Sequence, residues 1–308
     1  MESRVIYETK SLYRDAMRVT GFQFGKGEES VCIIGALRGN EIQQMYSCSQ
    51  VIKVLKQLEK QGAIVEGKSI LVIPVVNSYS MNIGKRFWPL DNTDINRMFP
   101  GYQYGETTQR VAAGVFEEIK DYKYGIQFAS YYMPGLFTPH VRIMDTGYHD
   151  LDVAKKFGLP FIYFREPRPY DTTTLNYNWQ IWNSHAFSLY GRETETMDVK
   201  TTKEIVQAVL NFLTNIHVIR YRKHKEFQPR VISEKDIIPV KCMSPGMFFP
   251  SVNVQEEVEK GDVLGQILDP YEGEVLENIV APQSGEVFFL HNHPMVYANT
   301  AVFKLIKF

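Results

Sequence analysis

Eight consecutive residues, Ser69-Ile-Leu-Val-Ile-Pro-Val-Val76, constrain this chain more than any other stretch. The run is apolar after its first residue, rich in β-branched side chains and too short for an ordinary helix. A strand buried on both faces satisfies it, and such strands belong to parallel sheets covered by helices. The neighbouring segments agree. Residues 31–34 form a second short β-rich run ending at Gly35. Between the two, residues 40–61 carry Ile42, Met45, Val51 or Ile52, Val54 or Leu55, and Leu58 at roughly helical spacing, with Gly62 as a stop. Asn40 is the expected N-cap of that helix.

The alternation continues. Helices are expected over residues 107–120, 151–157 and 203–213, the last with a capping-box pattern from Thr201 to Glu204. Strands are expected over 124–128, 140–144, 160–164 and 186–190. The first part therefore reads as an α/β domain with a mostly parallel sheet flanked by helices. After the basic stretch at 220–225, read as a solvated linker, the segments become short, β-rich and punctuated by Gly and Pro. The expected division is an α/β domain over 1–228 and a small all-β domain over 229–308.

Composition removes several function classes. The 308 residues are 44% hydrophobic, enough for a sizeable core, and 34 Lys+Arg against 35 Asp+Glu leave a formal charge of −1. A binder that works mainly by counterion release needs a basic surface, so no nucleic-acid or membrane partner is expected. Three cysteines, Cys32, Cys48 and Cys242, make no disulfide framework and no C-x-x-C motif. They read as buried thiols of a cytoplasmic protein. The N-terminal stretch is charged, without a signal-peptide core, and no window is long and apolar enough to span a membrane.

Three stretches place polar residues after apolar strands, where open α/β sheets bind ligands. The first is Arg38-Gly39-Asn40-Glu41, in which Arg38 and Glu41 are close enough in sequence to pair. The second is the long loop over residues 86–101, with Arg86, Asp91, Asn92, Asp94, Asn96 and Arg97. Arginines and amides gathered there suit fork-like recognition of a carboxylate. The third is Pro139-His140-Val141-Arg142.

In this order the stretches resemble the succinylglutamate desuccinylase/aspartoacylase family, the deacylase branch of the zinc carboxypeptidases. Gly39-Asn40-Glu41 is similar to the end of its HGNE motif. Arg86-Phe87 followed by Asp94-Ile95-Asn96-Arg97 and Phe99-Pro100-Gly101 is similar to its R…DLNR.FPG block, the most specific element. Pro139-His140-Val141-Arg142 is similar to its PH.R segment, and Ala281-Pro282-x-x-Gly285 fits the β-domain these proteins append. The resemblance spans about residues 20–308. It implies a zinc-carboxypeptidase-like fold and an amidohydrolase acting on linear amides. It also implies a zinc held by the His and Glu of HxxE and by a later His, with a Glu as general base.

This sequence departs from that pattern. Arg38 stands at the first His position, Ala129 at the second and Gln127 at the Asp beside it. Tyr190 falls at the general base. Only Glu41 survives as a metal-ligand position, and one carboxylate does not hold zinc. The other half is kept: the resemblance assigns carbonyl polarisation to Arg86 and grip of a substrate carboxylate to Asn96 and Arg97. Arg38 is expected near the lost metal position, paired with Glu41, and is a further candidate for anion binding. The expected protein binds an acyl-amino acid, a peptide or another carboxylate as a pseudoenzyme, with zinc absent from the family site. Two alternatives stand beside it. One is an active N-acyl amino acid deacylase or carboxypeptidase with a relocated metal drawn from His140, His149, His185, His291 and His293. The other is a structural protein with a vestigial pocket. A homo-oligomer is left open.

Overall fold

The computed structural model describes residues 1–10, 15–193, 196–222 and 226–308. Part of the basic stretch, residues 223–225, lies outside the described residues. The chain divides into two compact units. The first holds Met1–Ser130, Pro139–Gly191 and Glu195–Val231; the second holds Tyr131–Thr138, Arg192–Thr194 and Ile232–Phe308. The second unit thus takes in two excursions from the first, which a single cut at 228/229 does not contain.

The first unit opens with a hairpin, β1 (Glu2–Thr9) and β2 (Met17–Gly25), that the charged N-terminal sequence did not announce. Then come β3 (Gly27–Ala36), α1 (Ile42–Lys60), β4 (Gly67–Val75), the short α2 (Ser78–Met81), α3 (Thr107–Ile119) and β5 (Tyr124–Ala129). The chain passes through β6 (Gly135–Phe137), described below, and returns in β7 (His140–Met144), α4 (Leu151–Lys155), β8 (Phe161–Arg165), α5 (Leu175–Ile181), β9 (His185–Tyr190), α6 (Val199–Asn215) and β10 (Arg230–Ile232). The sheet order is β1-β2-β4-β3-β5-β9-β7-β8-β10. Its centre, β4-β3-β5-β9, is parallel, while β2 and β7 join it antiparallel.

The apolar runs are long because both faces are covered. On one face, Val31, Ile33 and Ile126 pack with Cys48, Val51 and Leu55 of α1 and with Ile205, Val209 and Phe212 of α6. On the other, Cys32 and Ile34 pack with Val111, Val115 and Ile119 of α3 and with Leu175 and Trp179 of α5. All three cysteines are buried and free. Two capping expectations are corrected. Helix α1 starts one residue later than Asn40 predicts, with Glu41 at its N-cap and no side-chain cap bond, because the Glu41 carboxylate is used elsewhere. Helix α6 is capped by Asp198, whose carboxylate accepts from the Thr201 amide, so Thr201 sits inside the first turn rather than before it. Gly62 does close α1, in the left-handed region at φ +66°.

The second unit is all-β: β11 (Ile237–Lys241), β12 (Gly246–Pro250), β13 (Glu257–Val258), β14 (Val263–Leu268), β15 (Val275–Val280), β16 (Gly285–His291), β17 (Met295–Val296) and β18 (Ala301–Lys307). They form two antiparallel sheets, β11-β18-β16-β13 and β15-β14-β12-β17, with β6 added to β16. Phe248, Leu264, Ile267, Val287, Val302 and Leu305 fill the core. No helix among the described residues is long and apolar enough to cross a membrane.

Candidate functional site

The site is built where β3 and β5 end. Past Ala36 the chain turns sharply, and Gly39 is required in that turn: a Cβ there would lie 2.1 Å from the backbone carbon of Ser80 and 2.4 Å from the Lys85 carbonyl oxygen. The turn aims two backbone amides at Glu41. Leu37 N donates to Glu41 Oε2 at 2.8 Å and Arg38 N to the same oxygen at 3.0 Å. Arg38 Nη1 donates to Glu41 Oε1 at 2.9 Å, and Ser130 Oγ, just past β5, donates to it at 2.5 Å. The carboxylate is fully buried and engaged by four donors.

Arg38 has a second partner that sequence reasoning missed. Its Nε donates to Asp94 Oδ1 at 2.8 Å. The same oxygen accepts from Asn96 N at 3.0 Å, capping a one-turn 3₁₀ helix, Ile95–Arg97, and Oδ2 accepts from Arg86 Nη2 at 3.0 Å. Burial works against the charge on Arg38, but Glu41 and Asp94 outweigh it and raise the guanidinium above its ordinary range. For Asp94, burial also opposes ionisation, and Arg38, then Arg86, overcome it and hold its carboxyl below the usual range. Among the described residues, Asp94 is thus a second counter-charge to these arginines beside Glu41. The readable signal was its position two residues before Asn96, typical of a capping Asp.

Arg97 differs from its neighbours. Among the described residues it forms no ion pair. Its Nη1 donates to the Asn96 carbonyl oxygen at 2.7 Å, and its guanidinium lies 5.9 Å from the centre of the Tyr170 ring. Burial and then the repulsion of Arg38 lower its pKa. Asn96 turns its Oδ1 to the Leu175 amide at 2.9 Å, leaving its amide nitrogen as the end available to a ligand. Tyr170 is presented by a loop that Asp171 organises, with Arg165 Nη1 and Nη2 donating to its carboxylate at 2.7 and 2.8 Å and Arg168 N at 2.8 Å.

Ala129, expected from the resemblance at the second His position, has no side-chain donor atom, and its backbone oxygen accepts from Gln44 Nε2 at 3.2 Å. Gln127, expected at the neighbouring Asp position, accepts from Asn176 Nδ2 at 3.3 Å, and Asn176 also donates to Ser188 on the adjacent strand. Tyr190 is buried, stacked on His140 at 4.8 Å and 7°, and its hydroxyl oxygen accepts from Arg142 Nη1 at 3.1 Å. The guanidinium of Arg142 also covers the Tyr190 ring at 4.1 Å. His140 and Arg142 of the Pro139–Arg142 stretch thus both pack on Tyr190.

The other histidines expected as relocated metal ligands are scattered. His149 meets Asp145 at 3.1 Å and His185 meets Asp150 at 3.6 Å, while His291 and His293 lie in the second unit with ring centres 6.4 Å apart. Among the described residues no three His, Cys, Asp or Glu side chains gather as a metal needs. The donor set at the family position does not fit zinc: a guanidinium, an alanine and one carboxylate already saturated by four donors.

Comparison with known proteins agrees with the fold. Residues 28–128 match the model of the succinylglutamate desuccinylase/aspartoacylase catalytic domain. No curated protein sequence matches. Among solved structures, a succinylglutamate desuccinylase/aspartoacylase from Rhodobacter sphaeroides superposes with a TM-score of 0.77 at 19% identity, covering 95% of this chain and 89% of its own. An aspartoacylase family protein from Mesorhizobium loti gives 0.74 at 20%, covering 97% and 92%. The product-bound ectoine utilization protein EutE from Ruegeria pomeroyi gives 0.76 at 16%, covering 94% and 89%. The chain has the fold of these proteins, and the segment that matches the catalytic-domain model carries Arg38, Glu41, Arg86, Asn96 and Arg97.

Proposed function

We propose that this desuccinylase/aspartoacylase-like chain binds a carboxylate, such as an acyl-amino acid or a peptide C-terminus, at Asn96 and Arg97, and that it does not hydrolyse it at the family zinc position. One observation carries the reading: Arg38, at the first ligand position, is locked between Glu41 and Asp94, while Arg97 keeps its charge without a carboxylate partner among the described residues. Two carboxylates offset the charges of Arg38 and Arg86, so the cluster as a whole retains the one positive charge of Arg97. That suits a single ligand carboxylate. Arg86 spends one guanidinium edge on Asp94 and keeps the rest for the ligand.

The test is calorimetric titration with a panel of N-acetyl amino acids, with and without chelator, alongside metal analysis. Expected are binding that ignores the chelator, zinc far below one per chain, and a loss of at least about tenfold in affinity in Arg97→Ala. About one zinc per chain sinks the reading. Hydrolysis that stops with chelator and survives loss of Glu41 favours the alternative, a deacylase with a relocated metal.

A further inference from the structure

Four buried or half-buried charges form one continuous line. Glu41, Arg38, Asp94 and Arg86 are joined in that order by hydrogen bonds of 2.9, 2.8 and 3.0 Å. The two carboxylates of this line belong to different parts of the first unit. Glu41 is fastened to the backbone of the turn after β3 by Leu37 N and Arg38 N. Asp94 opens the 3₁₀ turn that presents Asn96 and Arg97, and it closes that turn by accepting the Asn96 amide. Among the described residues, Arg38 is the side chain hydrogen-bonded to both carboxylates.

We propose that Arg38 is a positioning residue for the anion site: its guanidinium is the fixed cation that holds Asp94, and through Asp94 both Arg86 and the turn carrying Arg97, with no metal required. A guanidinium suits this task. It is planar, always charged, and its Nε and Nη1 edges reach two carboxylates at a fixed angle. A lysine offers one compact charge on a flexible stem and holds one carboxylate at a time. Arg38 is buried on all sides, so water does not compete for either contact. The loss of the first His and the retention of an ordered carboxylate grip then have one cause. The consequence for ligand affinity rests on the carboxylate-binding reading; the ordering of the turn does not.

Two measurements made without ligand test it. In the native chain, the Arg38 Nε–H resonance is expected to be distinct, slow to exchange with water, and unmoved by one equivalent of Zn²⁺. A solvent-averaged Arg38 signal, or its displacement by zinc, overturns the proposal. The second measurement is amide hydrogen exchange of Asn96 in Arg38→Met, Arg38→Lys and the Arg38→Met/Glu41→Gln double variant. Exchange at least tenfold faster is expected in all three, with the Ile33 and Ile73 amides of the central strands unchanged. Native protection of Asn96 in any folded variant overturns it. Should Arg38→Met fail to fold, because the buried Glu41 and the partly buried Asp94 lose their shared cation, the double variant removes one charge of each sign and carries the test. Absence of carboxylate binding in calorimetry leaves this result standing, so the two readings fail separately.

Discussion

Arg38 illustrates how one side chain decides what a site can do. Its guanidinium is a donor with no lone pair to give, and it takes up acceptor capacity of Glu41. Removing it alone leaves the buried Glu41 carboxylate without its cation and Asp94 with Arg86 as its one remaining ion-pair partner among the described residues, so Arg38→Met should destabilise the chain by about 3–5 kcal/mol. The Arg38→Met/Glu41→Gln variant should lose clearly less, which paired urea denaturation curves would show. Asp171 gives a second prediction at this scale. Burial opposes its ionisation, but Arg165 and the Arg168 amide overcome this and hold its pKa below the ordinary carboxylate value. A depressed acid stabilises the fold fully above its unfolded pKa and loses that contribution as pH falls through its folded pKa. Asp171→Asn should therefore weaken the chain by about 2 kcal/mol or more near neutrality, and the gap to the native chain should narrow below about pH 4. Denaturation curves at pH 7 and pH 3 measure both.

Elements show which parts of this architecture a sequence discloses. The alternation of Ile34, Ile73 and Ile126 runs with amphipathic stretches was legible because two-sided burial leaves an apolar record. The block over residues 94–101 was legible as a unit because its turn needs particular residues. Gly101 has φ +97°, and a Cβ there would lie 2.1 Å from the Ala113 amide nitrogen. Gly101→Ala should accordingly cost at least about 2 kcal/mol in a urea melt, from backbone strain and crowding together. Helix α5 escaped, because Asn176, Asn178 and Gln180 are polar yet buried and break the apolar rhythm. Their amides are spent on neighbouring strands and carbonyls, as in Gln180 Nε2 to the Met144 oxygen at 3.1 Å. Pairings such as Arg38 with Asp94, 56 residues apart, leave no local trace at all. Glu41 and Arg38 were readable as partners only because they are three apart.

At the scale of the whole chain, near neutrality hides an uneven distribution. Residues 232–308 contain eleven Asp and Glu against five Lys and no Arg, so the remainder is net basic. Stability at this scale should not depend on metal. A ligand that binds only the native state raises the melting temperature by mass action, so a resident structural zinc would reveal itself on removal. Chelator should leave the melting temperature of the native chain unchanged within about a degree, as differential scanning calorimetry would show; a clear drop would contradict the donor arithmetic at Glu41.

The two excursions of the first unit's chain into the second have a further consequence, one that concerns time rather than structure. Strand β6 finds its partner in β16, with Phe137 opposite Phe289, about 150 residues later. On a growing polypeptide, β5 and β7 are complete long before that partner exists, so the segment between them waits without its β partner until β16 has been made. Contacts so distant in sequence are slow to form and expose strand edges meanwhile. The β-module therefore cannot be trimmed away as a late addition. Stopping synthesis at residue 231 would leave β6 without its ladder, and the product should be recovered mainly as aggregate.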